Sequence, residues 1–294
     1  MGAAAINLAL IAAAFSSVLV GAGIAASRLA LGEVPPLTLA MLRYAIGFAC
    51  LLPFAWRMRL RGNLRDMTGM ALLGIGQFGV LIALLNFGLQ RIGAAQAALI
   101  FSLFPLITLV LSSVLGHERI TLPLLAGVLV SIAGVAMSLA PKLEAHGASW
   151  WGELAVLGSA TIGATCSVLY RPYLRRYPTL PVSAYAMLAS VFVLALVAWP
   201  EHWVQRIPTF SSTAWAATIF VGVSSGIGYF AWLYALKHES PTRVTVFLAL
   251  NPPTAALMGR VILGEPVQAG VAGGLLLVAA GLWLATQTGN KAPG

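Results

Sequence analysis

Ten apolar runs constrain this chain more than any other feature. They fall at about 6–27, 36–55, 68–90, 93–115, 121–140, 150–170, 181–199, 212–236, 242–263 and 267–287. A helix crossing a bilayer needs about 20 apolar residues, so each run predicts a spanning helix and the chain predicts an all-α, polytopic membrane protein. Of 294 residues only 25 are charged, 17 basic and 8 acidic, where a soluble domain carries about a quarter. The connections are too short for a soluble catalytic, nucleotide-binding or nucleic-acid-binding domain. The net charge of +9 is therefore assigned to the membrane surface and not to nucleic acid.

The first run has no basic leader before it and continues to Ala26, which predicts a retained first span and not a signal peptide. Cys50 and Cys166 lie in separate apolar runs, as small core residues without a disulfide framework or a thiolate metal cluster. Cations sort by side. Loops after the second, fourth, sixth and eighth runs, with the tail, hold Arg57, Arg59, Arg61, Arg65, Arg119, Arg171, Arg175, Arg176, Lys237, Arg243 and Lys291. The other side holds only Arg28, Arg91, Lys142, Arg206 and Arg260. The positive-inside rule then puts both termini in the cytoplasm.

An internal repeat organises the runs. At an offset of 147, Pro105 falls on Pro252, Glu118 on Glu265, Gly127 on Gly274 and Gly134 on Gly281. Offsets of 145 (Pro36 on Pro181) and 143 (Arg28 on Arg171) extend the match to the second and first runs. The chain reads as two five-helix units, residues 1–141 and 142–294. Because five is odd, the second enters the membrane from the opposite face, the inverted repeat common in secondary transporters.

The segments FGLQRIGAAQAALIFSLFPLITLVLSSVLGHERIT and YALKHESPTRVTVFLALNPPTAALMGRVILGEPV resemble the paired signature of EamA-type transporters of the drug/metabolite transporter superfamily. Each has a span with a mid-helix Pro, then a Glu, then a Gly-rich span. Arg43 in MLRYAIGF also matches that pattern. The resemblance covers nearly the whole chain. It implies a ten-span carrier in a bacterial-type inner membrane that exports or exchanges small organic metabolites, amino acids first, without a cofactor. Where the family often has a Trp-Gly-x-Asn stretch, this chain has Val20, Gly21, Ala22 and Gly23, and Gly163 stands at the corresponding place in the second half. The missing aromatics imply a roomier central path.

Pro105, Pro252 and Pro253 lack the N–H that would bond the carbonyls of Phe101, Leu248 and Ala249. They predict kinked, gating fourth and ninth helices whose freed carbonyls either meet a neighbouring helix or line a watery path. In the third span Phe78, Ile82 and Asn86 share a helix face, as do Ser225, Tyr229 and Trp232 in the eighth. Ordinary packing would use the same stripes. The functional expectation is that Phe78, Asn86, Phe101, Tyr229, Trp232 and Asn251 border one substrate cavity, with aromatic and apolar amino acids favoured. Arg43 is a charge inside a span, as an anchor snorkelling to the surface or an attractor for a substrate carboxylate.

No acidic residue lies mid-span, and Glu118, Glu265 and the four histidines His117, His146, His202 and His238 fall at connections. Exchange or facilitated diffusion is expected over tight proton coupling. The same absence weighs against a toxic-cation or multidrug exporter, and a single intramembrane Arg weighs against a nucleotide-sugar or sugar-phosphate exchanger. Gly222, Ser224 and Gly226 spell the G-x-S-x-G of a hydrolase elbow without its strand or His base, which leaves an intramembrane serine hydrolase as the remote alternative. Gly74, Gly76 and Gly79 spell G-x-G-x-x-G inside a span, where close helix approach explains them. Gly270 and Gly274 could pack within the bundle or at a homodimer contact.

Overall fold

The computed structural model describes residues 3–55, 62–115, 122–143, 149–239, 244–245, 247–264 and 269–286. Glu118, Glu265, His117 and His146, with the loop cations Arg57, Arg59, Arg61, Arg119, Arg243 and Lys291, lie outside them. The described residues are helical apart from turns and short connections. In chain order they form α1 (Ala3–Ala30), α2 (Pro36–Ala55), α3 (Leu64–Gly74), a π-helix (Ile75–Val80), α4 (Leu81–Leu89), α5 (Ala94–Phe101), α6 (Phe104–Val114), α7 (Leu122–Leu143), α8 (Trp151–Arg176), α9 (Thr179–Val197), α10 (Trp203–Arg206), α11 (Ser212–His238), α12 (Asn251–Leu263) and α13 (Ala269–Thr286).

Among the described residues, seven stretches are long and apolar enough to cross a membrane: Leu8–Ala30, Pro36–Ala55, Leu64–Leu89, Ala94–Val114, Trp151–Arg176, Thr179–Val197 and Ser212–His238. The expected fifth, ninth and tenth runs correspond to α7, α12 and α13, which adjoin residues outside the description. Phe54, Phe192, Leu196, Leu276 and Trp283 point outward, each more than 60% exposed. Water would penalise so much outward apolar surface; lipid tails would not.

Glycine sets how closely the helices approach. Gly47 of α2 lies on Gly222 and Gly226 of α11, and Gly74 of α3 lies on the backbone of Ala186 in α9. Gly76 meets Cys166 Sγ and Gly79 meets Ser190 Oγ, so all three glycines of the G-x-G-x-x-G string serve helix packing. Gly274 packs on Gly134 within the same chain.

The proline expectation needs one correction. The fourth and ninth runs are interrupted helices and not kinked continuous ones. The chain turns at Ser102 and Leu103 between α5 and α6, and a 3-10 segment, Phe247–Leu250, precedes α12. Pro105, Pro252 and Pro253 stand in the first turn of the new helices, where a missing N–H costs no intrahelical bond and the fixed φ suits helix initiation.

Carboxylates tie the ends. Glu201 accepts from Leu37 N (3.0 Å), Thr38 N (2.6 Å) and Thr38 Oγ1 (2.6 Å) at the start of α2. Glu33 accepts from Ser211 N (2.9 Å) and Ser211 Oγ (2.6 Å), the N-cap of α11. Each loop thus caps the helix that follows the other, a favourable placement of negative charge at a helix N-terminus. The Ser211 bonds hold the Glu33 carboxyl below its ordinary range. Elsewhere, Tyr177 Oη donates to Asp66 Oδ2 (2.7 Å) and Arg176 lies 3.7 Å from the same oxygen, joining the start of α3 to the end of α8. That bond raises the Tyr177 phenol pKa.

Candidate functional site

A cavity of about 80 Å³ opens beside the two helix breaks, room for several waters. From the first half, α1 contributes Ser16, Leu19, Val20 and Ile24, and α2 contributes Arg43 and Tyr44. The π-helix contributes Gln77, α4 Leu81, Ile82 and Leu85, and the broken run Phe101 and Phe104. From the second half come Ser224, Ser225, Gly228, Tyr229 and Trp232 of α11, with Leu248 of the 3-10 segment.

Of the residues expected to border one cavity, Phe101, Tyr229 and Trp232 line it, as do Ser225 and Arg43. Phe78, Asn86 and Asn251 do not. Phe78 stacks behind the wall, 4.6 Å from Tyr44 and 4.3 Å from Tyr229 between ring centroids. Asn86 Nδ2 donates to Pro36 O (2.9 Å) and leaves its Oδ1 buried without a partner. Asn251 is fully buried with both amide atoms unpartnered, and its backbone presses on Gly21. Pro105, Pro252 and Pro253 flank the breaks and are absent from the lining.

The third-span stripe is disrupted for a physical reason. Between Ile75 and Val80 the helix widens, and Leu81 N–H donates to Gly76 O, five residues back. A π turn takes up an extra residue and rotates the later part of the helix relative to an α-helical count. Gln77 then faces the cavity while Phe78 turns to the aromatic stack. Sequence reasoning missed Gln77, because the 3.6-residue period gives no weight to a π turn. The paired Gly76 and Gly79 were the available hint.

Of the two places where the family's aromatic is missing, Val20 lines the cavity and Gly163 does not. Gly163 admits the ring of Phe104, and Gly21 admits the Asn251 backbone with the Thr254 side chain. The space at Gly163 is thus filled by Phe104 of the broken fourth run, and the path is not roomier there. Phe104 lies 5.5 Å from Phe101 and 6.2 Å from Trp232 between centroids, so one wall of the cavity is a run of three aromatic rings.

Arg43 is 6% exposed and does not reach the surface as a snorkelling anchor would. Its Nε donates to Ser225 Oγ (2.5 Å), and its guanidinium carbon lies 5.6 Å from the Tyr44 ring centroid. Ser224 Oγ donates to Val221 O at 3.1 Å, the ordinary back-bond of a helical serine. No cluster of metal-ligating side chains occurs among the described residues.

Comparison with known proteins places this geometry in a family. Residues 7–140 and 150–287 each match the EamA-like transporter family. A probable terminal-alkyne amino-acid exporter of Streptantibioticus cattleyicolor is 33% identical over 74% of this chain and 73% of its own. A probable amino-acid metabolite efflux pump of Salmonella typhimurium is 24% identical over 87% of each chain. A biotin transporter of Salmonella typhimurium is 25% identical over 86% of this chain and 84% of its own. One solved crystal structure shares the fold, with a TM-score of 0.69 over 97% of both chains at 23% identity.

Proposed function

The chain belongs to the EamA-like transporter family, a family of transporters and not of enzymes, and from that premise we propose that it is a secondary carrier exporting or exchanging amino acids, aromatic and large apolar ones first. The observation that carries this reading is the cavity itself. Both halves of the chain line it, it sits at the two helix interruptions, and three aromatic rings form one wall. Relatives named as amino-acid exporters support the substrate class.

In this reading ten spans form two inverted units, 1–141 and 142–294, in the inner membrane with both termini cytoplasmic. The units rock about the cavity so that it faces each side in turn, without ATP hydrolysis. The breaks before Pro105 and Pro252 are the moving parts. Phe101, Tyr229 and Trp232 contact the substrate, and Phe78, Asn86 and Asn251 shape the wall from behind. With no mid-span carboxylate, exchange or facilitated diffusion is the expected mode.

Counterflow tests the reading. Proteoliposomes preloaded with a mixed amino-acid pool should take up labelled phenylalanine, leucine or related amino acids faster than unloaded ones. Folded protein that shows no counterflow with any amino acid would overturn it.

A further inference from the structure

Two polar side chains reach the cavity incompletely satisfied. Arg43 uses Nε on Ser225, and among the described residues no carboxylate and no further hydrogen-bond acceptor meets its guanidinium. Gln77 is 8% exposed and its Oε1 has no partner. A cation buried in a span without a counter-charge is costly, and such residues mark substrate paths. An unpartnered buried amide oxygen is costly too, and here it sits on the only π-helical segment among the described residues, a strained turn that recurs at functional sites. The protein meets Arg43 only through Ser225 and the Tyr44 ring and leaves Gln77 Oε1 unpaired, so both groups are poised for a ligand that brings an anion and a hydrogen-bond donor.

The rest of the lining carries no charge: Ser16, Tyr44, Ser224, Ser225 and Tyr229 bring hydroxyls, and Phe101, Phe104 and Trp232 form an aromatic wall beside Leu85 and Leu248. The cation is also one-sided. At the offset of 145 that relates the second and seventh runs, Arg43 falls on Leu188. The second half therefore supplies no equivalent charge, and Arg43 is the one cation among the residues that line the cavity.

We propose that Arg43 and Gln77 form a zwitterion-binding subsite, in which the free guanidinium nitrogens of Arg43 hold a substrate carboxylate and Gln77 Oε1 accepts a hydrogen bond from its ammonium. Ser225 orients Arg43 through Nε, and the aromatic wall takes the side chain of the amino acid. The subsite rests on the amino-acid carrier reading above and deepens it: the substrate class is set by a free α-carboxylate together with a free α-ammonium. A fork-shaped guanidinium matches a carboxylate in two bonds, which an ammonium does not reproduce.

The test is counterflow of the labelled amino acid that the reconstituted full chain exchanges best. Four unlabelled competitors are compared: the same amino acid, its amide, its decarboxylated amine and its deaminated acid. The wild type should be competed about tenfold less well by each of the three analogues than by the amino acid. Arg43→Gln should erase the preference for the amino acid over its amide, and Arg43→Lys should restore it only in part. Gln77→Leu should erase the preference over the deaminated acid and leave the preference over the amide in place. Equal competition by amide and amino acid in the wild type would overturn the subsite while leaving the carrier reading standing. So would unchanged preferences in both Arg43→Gln and Gln77→Leu, once thermal melting shows them folded. Absence of exchange for every amino acid overturns the carrier reading and the subsite with it. If the variants do not fold, the wild-type competitor panel still decides.

Discussion

Gly134 and Gly274 touch backbone to backbone: a Cβ on Gly134 would stand 2.7 Å from the Gly274 carbonyl oxygen, and one on Gly274 would stand 2.5 Å from Gly134 O. Seven residues away along each helix, Gly281 meets Gly127 O at 2.5 Å in the same way. The repeat pairs Gly127 with Gly274 and Gly134 with Gly281, so each glycine packs on the equivalent of the other. That exchange is the mark of a self-complementary contact about a two-fold axis, here a pseudo-axis within one chain. Gly134→Val and Gly274→Val should each destabilise the protein by about 1–3 kcal/mol through overpacking, read as a lowered Tm in detergent. Unchanged melting would show that α7 and α13 do not approach as described.

The aromatic wall should carry selectivity. Trp232→Ala and Phe101→Ala should each cut exchange of aromatic amino acids by about tenfold, equivalent to one interaction of 1.4 kcal/mol, with less effect on small ones. Trp232→Phe should keep most of the activity. Exchange normalised to folded protein is the measurement.

Asn86 should affect stability more than transport. Its amide donates to Pro36 O, and Asn86→Ala would leave that carbonyl without the bond, at a cost of about 1–3 kcal/mol. A Tm decrease with exchange per folded molecule preserved is the expected outcome.

The Glu33 cap predicts a sign for the effect of acid. Its carboxyl is held below the ordinary value of 4.5 by the Ser211 hydroxyl and amide. A carboxylate lowered in the folded state adds stability that is full above its unfolded pKa and fades as pH falls through the lowered folded one. Melting curves from pH 7 down to about pH 3 should show the wild type losing its advantage over Glu33→Gln below about pH 4.5. Parallel curves for the two proteins would contradict this. The group is fully exposed, so the difference is small and shrinks with salt.

The membrane character, the duplication and the Ser225, Tyr229 and Trp232 stripe were legible in the sequence, because each follows from apolar length, a fixed offset or an uninterrupted 3.6-residue period. Prolines marked the two interruptions, though not that the helices restart there. Gln77 was not legible, since its direction depends on a π turn that shifts the count after Ile75. Asn86 and Asn251 were legible as polar residues in spans, but whether they face a cavity or a neighbouring backbone depends on helix rotation. The missing aromatics at Val20 and Gly163 read as extra space. Only the packed structure reveals that Phe104 occupies it at Gly163.

A carrier working by alternating access exposes its cavity to each side in turn. Ser224 lines that cavity, and Ser224→Cys in a background with Cys50 and Cys166 replaced by Ala puts one small thiol there. A membrane-impermeant thiol reagent, applied from either face of oriented membranes, reads its accessibility. Labelling from both faces, slowed by the exchanged amino acid, is the result predicted for alternating access. Labelling from one face only, or labelling that the amino acid does not affect, would contradict it.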